Sequence, residues 1–204
     1  MSGRTPGSIR IEEASLRPLD ERVPVSPILK REEALARLAL KYFSSHGPAT
    51  LKDFSWWSGL PAADARKSLE SVKSGLGNEK FGDETYWFNG SLTVPAKNTF
   101  PVLLLPGYDE IIISYKDRSA VIPDGKYGKA ISSNGIFRPV ILDNGIAAGT
   151  WNRAIKNEKL TITLDMFVGS HKLSGKTIKK QIEKSAGSYG NFLGLKTELI
   201  INKK

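Results

Sequence analysis

The chain has 204 residues, 40% hydrophobic and 25% charged, enough for one sizeable core or two small ones and too apolar for wholesale disorder. Thirty basic against 21 acidic residues leave a formal charge of +9, which points to a polyanionic partner. The absence of cysteine removes disulfides, thiol nucleophiles and Cys-zinc sites and fits a reducing cytoplasm, and no apolar run is long enough to be a membrane span or a signal peptide.

Residues 1–30 are rich in Pro, Ser and Arg and read as an N-terminal arm, with one strand near Ile9–Leu16. Glu32–Ser44 predicts an amphipathic helix, because Leu35, Leu38, Ala39 and Tyr42 recur on one face. Gly47-Pro48 stops it. A second, short helix starts at Thr50, which with Asp53 resembles a capping box. Leu51, Phe54 and Trp57 share its face, and Gly59 ends it. Pro61 then suits the first position of a third helix, running to about Ser74 with Ala65, Leu69 and Val72 inward. Gly82-Asp83 between Lys80-Phe81 and Thr85–Phe88 predicts a hairpin. Helix-turn-helix followed by a hairpin is the winged-helix arrangement, expected over residues 31–98.

From Phe100 onward, PVLLLPG, EIIISY, SAVI, FRPVILDNGIAAGTW and KLTITLDMF read as short strands. Asn144-Gly145 supplies the positive φ of a type I′ turn. These predict a strongly bent antiparallel sheet or small barrel over residues 99–204, closed by a basic C-terminal helix that starts at Ser174, with Leu173 and Ile178 as a hydrophobic staple. The expected class is therefore α+β: a winged helix, then an antiparallel β-rich domain with a C-terminal helix.

Trp56 and Trp57 have two readings. In one, Trp57 is core and Trp56 is half-buried at an inter-domain seam; in the other they form a base-stacking platform. GSHKLSGKT, Gly169–Thr177, resembles a phosphate-binding loop but has five residues between its glycines where that motif has four, so a plain helix cap is the expectation, with no nucleotide cofactor. His46 and His171 are the only histidines, too few for a conventional zinc site, so no metal is expected. Asp109, Glu110, Asp117 and Arg118 fall together in the strongest strand region, either as an Asp-Arg pair holding a turn or as acid-base groups.

Charge is more informative. Met166–Lys204 holds eight lysines and two acids, six of the nine excess charges. Lys176, Lys180 and Lys184 fall on one helical face, with Lys179 beside them. They form either a solvated face or a stripe that tracks phosphates. The third helix adds Arg66, Lys67 and Lys73, diluted by Asp64 and Glu70. The hairpin adds Lys80 amid acids. Binding would go mostly to backbone, with little base discrimination.

HGPATLKDFSWWSGLPAADARKSLE, His46–Glu70, together with LLLPGYDEIIISYKDRS, Leu103–Ser119, and NGIAAGTW, Asn144–Trp151, closely resembles the AlkZ-like family of winged-helix DNA glycosylases. PLDERVP, Pro18–Pro24, resembles the chain leaving a preceding winged helix, so the resemblance runs from about residue 16 to about residue 167. It implies the third winged helix of that family, with the tryptophans as a fold marker. Characterised members place tandem winged helices around a concave basic surface that holds duplex DNA. They hydrolyse the N-glycosidic bond of alkylated bases, including interstrand crosslinks.

The family's Gln-x-Gln or Gln-x-Asp motif lies in its N-terminal part. Here the single glutamine is Gln181, in the lysine-rich helix. The expectation is thus a C-terminal piece of a longer glycosylase-like protein, or a short relative that kept the DNA-facing scaffold without the chemistry. The function expected is a duplex DNA-binding scaffold in the cytoplasm that does not catalyse by itself. Two rivals stand beside it. One is a divergent or truncated glycosylase using a carboxylate such as Asp109, with Arg118 as the other candidate. The other is a protein-interaction winged helix that docks a missing N-terminal region or partner.

Overall fold

The computed structural model describes residues 28–90, 101–167 and 176–202, the first three of the last stretch as backbone alone. The expected arm strand, the Gly169–Thr177 segment with His171, and the Ser174 cap with its staple lie outside the described residues.

Helix α1, Arg31–His46, buries Leu35, Ala39, Tyr42 and Phe43, the face that the sequence periodicity selects. Helix α2, Leu51–Ser58, begins at a true capping box. The Thr50 hydroxyl accepts from the Asp53 amide, and the Asp53 carboxylate accepts from the Thr50 amide. It stops at Gly59, whose φ of 68° is the left-handed conformation that ends helices. Helix α3, Ala62–Val72, follows directly, with Pro61 as its N-cap. The three helices share a core of Ala39, Tyr42, Phe43, Phe54, Ala65 and Leu69. Strands β1, Gly77–Phe81, and β2, Glu84–Phe88, form the hairpin, with Phe81 opposite Glu84. An isolated bridge from Ala49 to Trp87 ties that hairpin to the α1–α2 turn.

The second half is a five-stranded open sheet in the order β3 (Leu103–Leu105), β4 (Val140–Asp143), β5 (Ile146–Lys156), β6 (Lys159–Met166), β7 (Lys196–Asn202). Strand β4 alternates between two cores, as side chains on a strand must. Val140 and Leu142 join Ile122, Ile131 and Phe167 on one face, whereas Ile141 joins Leu160, Ile162 and Leu164 on the other. Helix α6, Lys176–Leu193, covers that second face through Ile182 and Ala186. A register shift at Ile141/Leu142 marks a bulge in the β4–β5 hairpin. Such an extra residue lets the neighbours Ala147 and Ala148 both be buried.

Five expectations are corrected. The sheet is mixed, not antiparallel, because β7 runs parallel to β6. Helix α6 therefore crosses over between two strands and does not close the fold. Its edges β3 and β7 do not pair, so it is no barrel. EIIISY is not a strand: Asp109 caps a short helix α4, Glu110–Ile113, by accepting from the Ile111 amide. SAVI forms turns around Arg118, whose carbonyl accepts from the amides of Val121 and Ile122. A further short helix, α5, spans Tyr127–Ala130.

Candidate nucleic-acid interface

Cations on and beside α3 differ in how free they are. Lys67 donates to Glu32 at 2.8 Å and Lys73 lies 2.6 Å from Glu70. Arg31 spans to Asp64 at 2.7 Å, which holds the Asp64 carboxyl below the usual carboxylate range. Arg66 is exposed and has no ion pair among the described residues. Lys80 is exposed on β1, opposite Thr85.

Helix α6 presents the second group. Its first residue is Lys176. Lys179 lies 3.9 Å from Glu183, a loose pair. Lys180 and Lys184, one turn apart, are exposed and have no ion pair among the described residues. Lys184 lines a groove of about 1020 Å³ between α6 and the β3–β5 side of the sheet, beside Gln181, with Arg153 and Trp151 opposite. Arg153 lies 5.3 Å from the Tyr189 ring centroid, and the Trp151 indole donates to the Leu105 carbonyl at 2.8 Å. Arg153 escaped the sequence reading, because only the fold brings its strand to the groove beside the lysine helix.

The third group lies at the junction of the two halves, where segment 110–118 is bonded to the helices at four points. The Tyr42 hydroxyl donates to the Ser114 carbonyl at 3.0 Å, and the Tyr115 hydroxyl donates to the His46 carbonyl at 2.7 Å. The Trp56 indole donates to the Ile113 carbonyl at 3.2 Å, and the Lys116 amide donates to Asp53 Oδ1 at 2.8 Å. Burial first, then the charge of Asp53, pushes both phenols up, so they stay protonated donors. His46 stacks on Tyr42, and its Nε2 lies 3.5 Å from Glu110.

Trp56 is at the seam, as the sequence suggests, with 52% of its surface exposed. Trp57 is not core. It is 37% exposed and leans against Tyr42 and His46 at the open end of the helices.

Asp109 and Arg118 are not brought together as a pair. Asp109 is occupied as a helix cap. Arg118 is 7% exposed, donates through Nε to the Ile112 carbonyl at 2.7 Å, and lies 5.4 and 5.2 Å from the ring centroids of Trp56 and Phe137. Its Nη2 is buried without a hydrogen-bond partner among the described residues. Asp117 accepts from the Ser119 amide at 2.9 Å, and that bond, ahead of the Arg118 charge, holds its carboxyl below the usual range. Asp109 and Arg118 are thus each engaged with backbone of the junction segment. Among the described residues no cluster of three His, Asp or Glu could hold a metal ion, and no helix is long and apolar enough to cross a membrane.

No curated protein sequence matches the chain. Among solved structures, the Streptomyces sahachiroi DNA glycosylase AlkZ is similar with a TM-score of 0.69 and 20% identity, over 87% of this chain and 48% of that one. The chain thus spans about half the length of that structure, and at this identity the likeness speaks for the fold. The family model for AlkZ-like DNA glycosylases matches residues 1–192, reaching beyond both ends of the resemblance visible in the motifs. Since that match runs through the helices, the junction and the sheet alike, the chain belongs to the AlkZ-like DNA glycosylase family.

Proposed function

We propose that the chain is a duplex DNA-binding scaffold of this family, a winged helix joined to a sheet, that grips phosphates and does not catalyse base excision by itself. The observation that carries this reading is the pair Lys180 and Lys184, exposed and unpaired among the described residues, with Lys184 lining a groove shared with Arg153. Cations placed along a surface replace the counterions condensed on DNA, and the released counterions drive binding. Lys179 stands beside Lys180 on the same helix, and Lys176 is the first residue of that helix. Arg66 and Lys80 supply the winged helix's share. Lys67 and Lys73 already hold carboxylates, but exposed pairs are weak and exchange for phosphate. The occupied cap at Asp109 and the burial of Arg118 favour the scaffold over a residual glycosylase. A cytoplasmic site at the nucleoid belongs to the same proposal.

A salt titration on undamaged duplex DNA, followed by fluorescence anisotropy, tests it. Log K should fall against log salt with a slope of about −3 or steeper. Lys180→Glu with Lys184→Glu should make that slope shallower by about two, one per phosphate contact. Absence of binding by micromolar protein at low salt refutes the reading.

A further inference from the structure

Trp56 lines a second, smaller pocket whose other walls come from α2, α3, β2 and the junction. Its volume is about 490 Å³, inside the range of about 300–1,000 Å³ that small-ligand sites occupy. Lys52, Ala62, Arg66, Glu84 and Lys116 share the lining. Lys52 is held by Glu84. Arg66 and Lys116 are both exposed, and neither has an ion pair among the described residues. Ala62 is the first residue of the 11-residue helix α3, and the amides of a first helical turn lack helical acceptors. The pocket therefore joins a half-exposed indole to two free cations and a helix N-terminus, and its natural ligand has a flat π face and an anionic group.

We infer that this pocket binds an unstacked nucleotide, its base against Trp56 and its phosphate between Arg66 and Lys116. The inference rests on the DNA-binding reading above. The indole is held in place for such a role. Its N–H is anchored on the Ile113 carbonyl, and Arg118, which is not part of the pocket lining, meets the ring from elsewhere. That guanidinium already draws on the electron-rich indole. Together with Arg66 and Lys116 it sets a positive potential around the pocket, which selects a neutral base over a cationic, alkylated one. The ligand class is thus an intact nucleotide displaced from the stack beside a bound duplex, not the damaged base.

The test compares two labelled single strands on the intact chain: an octamer of thymidylate and an octamer of abasic sugar-phosphate. Base–aromatic stacking makes the thymidylate octamer bind about tenfold more tightly. Trp56→Ala removes that preference, and Trp56→Phe, which keeps a ring at the seam, retains part of it. Arg66→Ala and Lys116→Ala weaken both octamers alike. Equal affinity of the unmodified chain for the two octamers overturns the inference, whatever the variants do. So does Trp56-dependent binding of a phosphotyrosine peptide without binding of thymidylate. If duplex binding persists alongside equal octamer affinities, the pocket fails and the scaffold reading stands. If duplex and octamers all fail to bind, both fall.

Discussion

Replacing Asp53 by asparagine separates two tasks that one buried carboxylate performs. Oδ2 accepts from the Thr50 amide at 2.9 Å and from its hydroxyl at 2.7 Å, which closes the capping box of α2. Oδ1 accepts from the Lys116 amide at 2.8 Å, which ties the helices to the junction segment. Asparagine has one acceptor oxygen and one donor amide. With its oxygen at the Oδ2 position the capping box survives, and its NH₂ then opposes the Lys116 N–H, donor against donor. The loss of a charge-assisted bond in a buried setting costs about 2 kcal/mol, in a range of about 1.5–3. Asp53→Ala loses the cap as well, about 1 kcal/mol more, and leaves the Thr50 amide without its acceptor, for a total of about 3–5 kcal/mol. Set against a typical stability of about 5–15 kcal/mol, the alanine variant is marginal and the asparagine variant folds. Urea unfolding followed by tryptophan fluorescence measures both costs, and hydrogen exchange at the Lys116 amide reports the junction alone. A cost below about 0.5 kcal/mol for Asp53→Asn, or unchanged protection at Lys116, would refute this division of labour.

Two further outcomes follow from local geometry. A Cβ on Gly47 would lie 2.5 Å from the Phe43 carbonyl oxygen, 2.7 Å from Phe88 Cα and 2.8 Å from the Trp87 carbonyl oxygen. All three are backbone atoms that cannot swing aside, so Gly47→Ala should cost about 3 kcal/mol and lower Tm by roughly 6–12 °C, and an unchanged Tm in calorimetry would contradict it. Asp117 has its folded pKa lowered, chiefly by the Ser119 amide. Its contribution is present above the ordinary aspartate value of about 3.9 and is lost as pH falls through the depressed folded value. The stability difference between the parent and Asp117→Asn should therefore be steady near neutrality and shrink in acid, and a difference independent of pH would rule the assignment out.

The helical half was legible because its signals are local and agree with one another. Thr50 with Asp53, Gly59, Pro61 and the Gly82-Asp83 turn each fix one boundary, and the period of α1 fixes its buried face. The Asn144-Gly145 turn was legible for the same reason, with φ of 49° and 83° at its two residues. α4 was misread because three consecutive isoleucines favour a strand and a four-residue helix is too short to show a period. The contrary signal was Asp109, a helix N-cap residue. β7 was missed although Thr197, Leu199 and Ile201 alternate inward, because a parallel partner far away in sequence leaves no turn signature. Trp57 has the right spacing for core but sits where α2 ends, so little protein lies beyond it. Of the interface, the lysine stripe could be read from spacing. The freedom of Arg66 and Lys116 and the pairing of Lys67 with Glu32, 35 residues away, depend on the fold and could not.

The parallel pairing of β6 and β7 also sets an order of events while the chain is being made. β6 meets β5 through the two-residue turn Asn157-Glu158, so one of its edges is satisfied as soon as it leaves the ribosome. Its other edge, Lys159–Asp165, waits for residues 196–202, which come only after the whole of α6. At about 5–20 residues per second, those intervening residues keep a strand reading LTITL open for on the order of seconds. An unpaired apolar edge of that kind recruits other strands. The edge that finally faces outward is better guarded: β7 exposes Lys196 and Glu198, and Lys159 reaches across to Glu198 at 2.8 Å. The last strand thus acts as the nascent chain's own chaperone, and any product that stops after α6 carries its most adhesive edge bare.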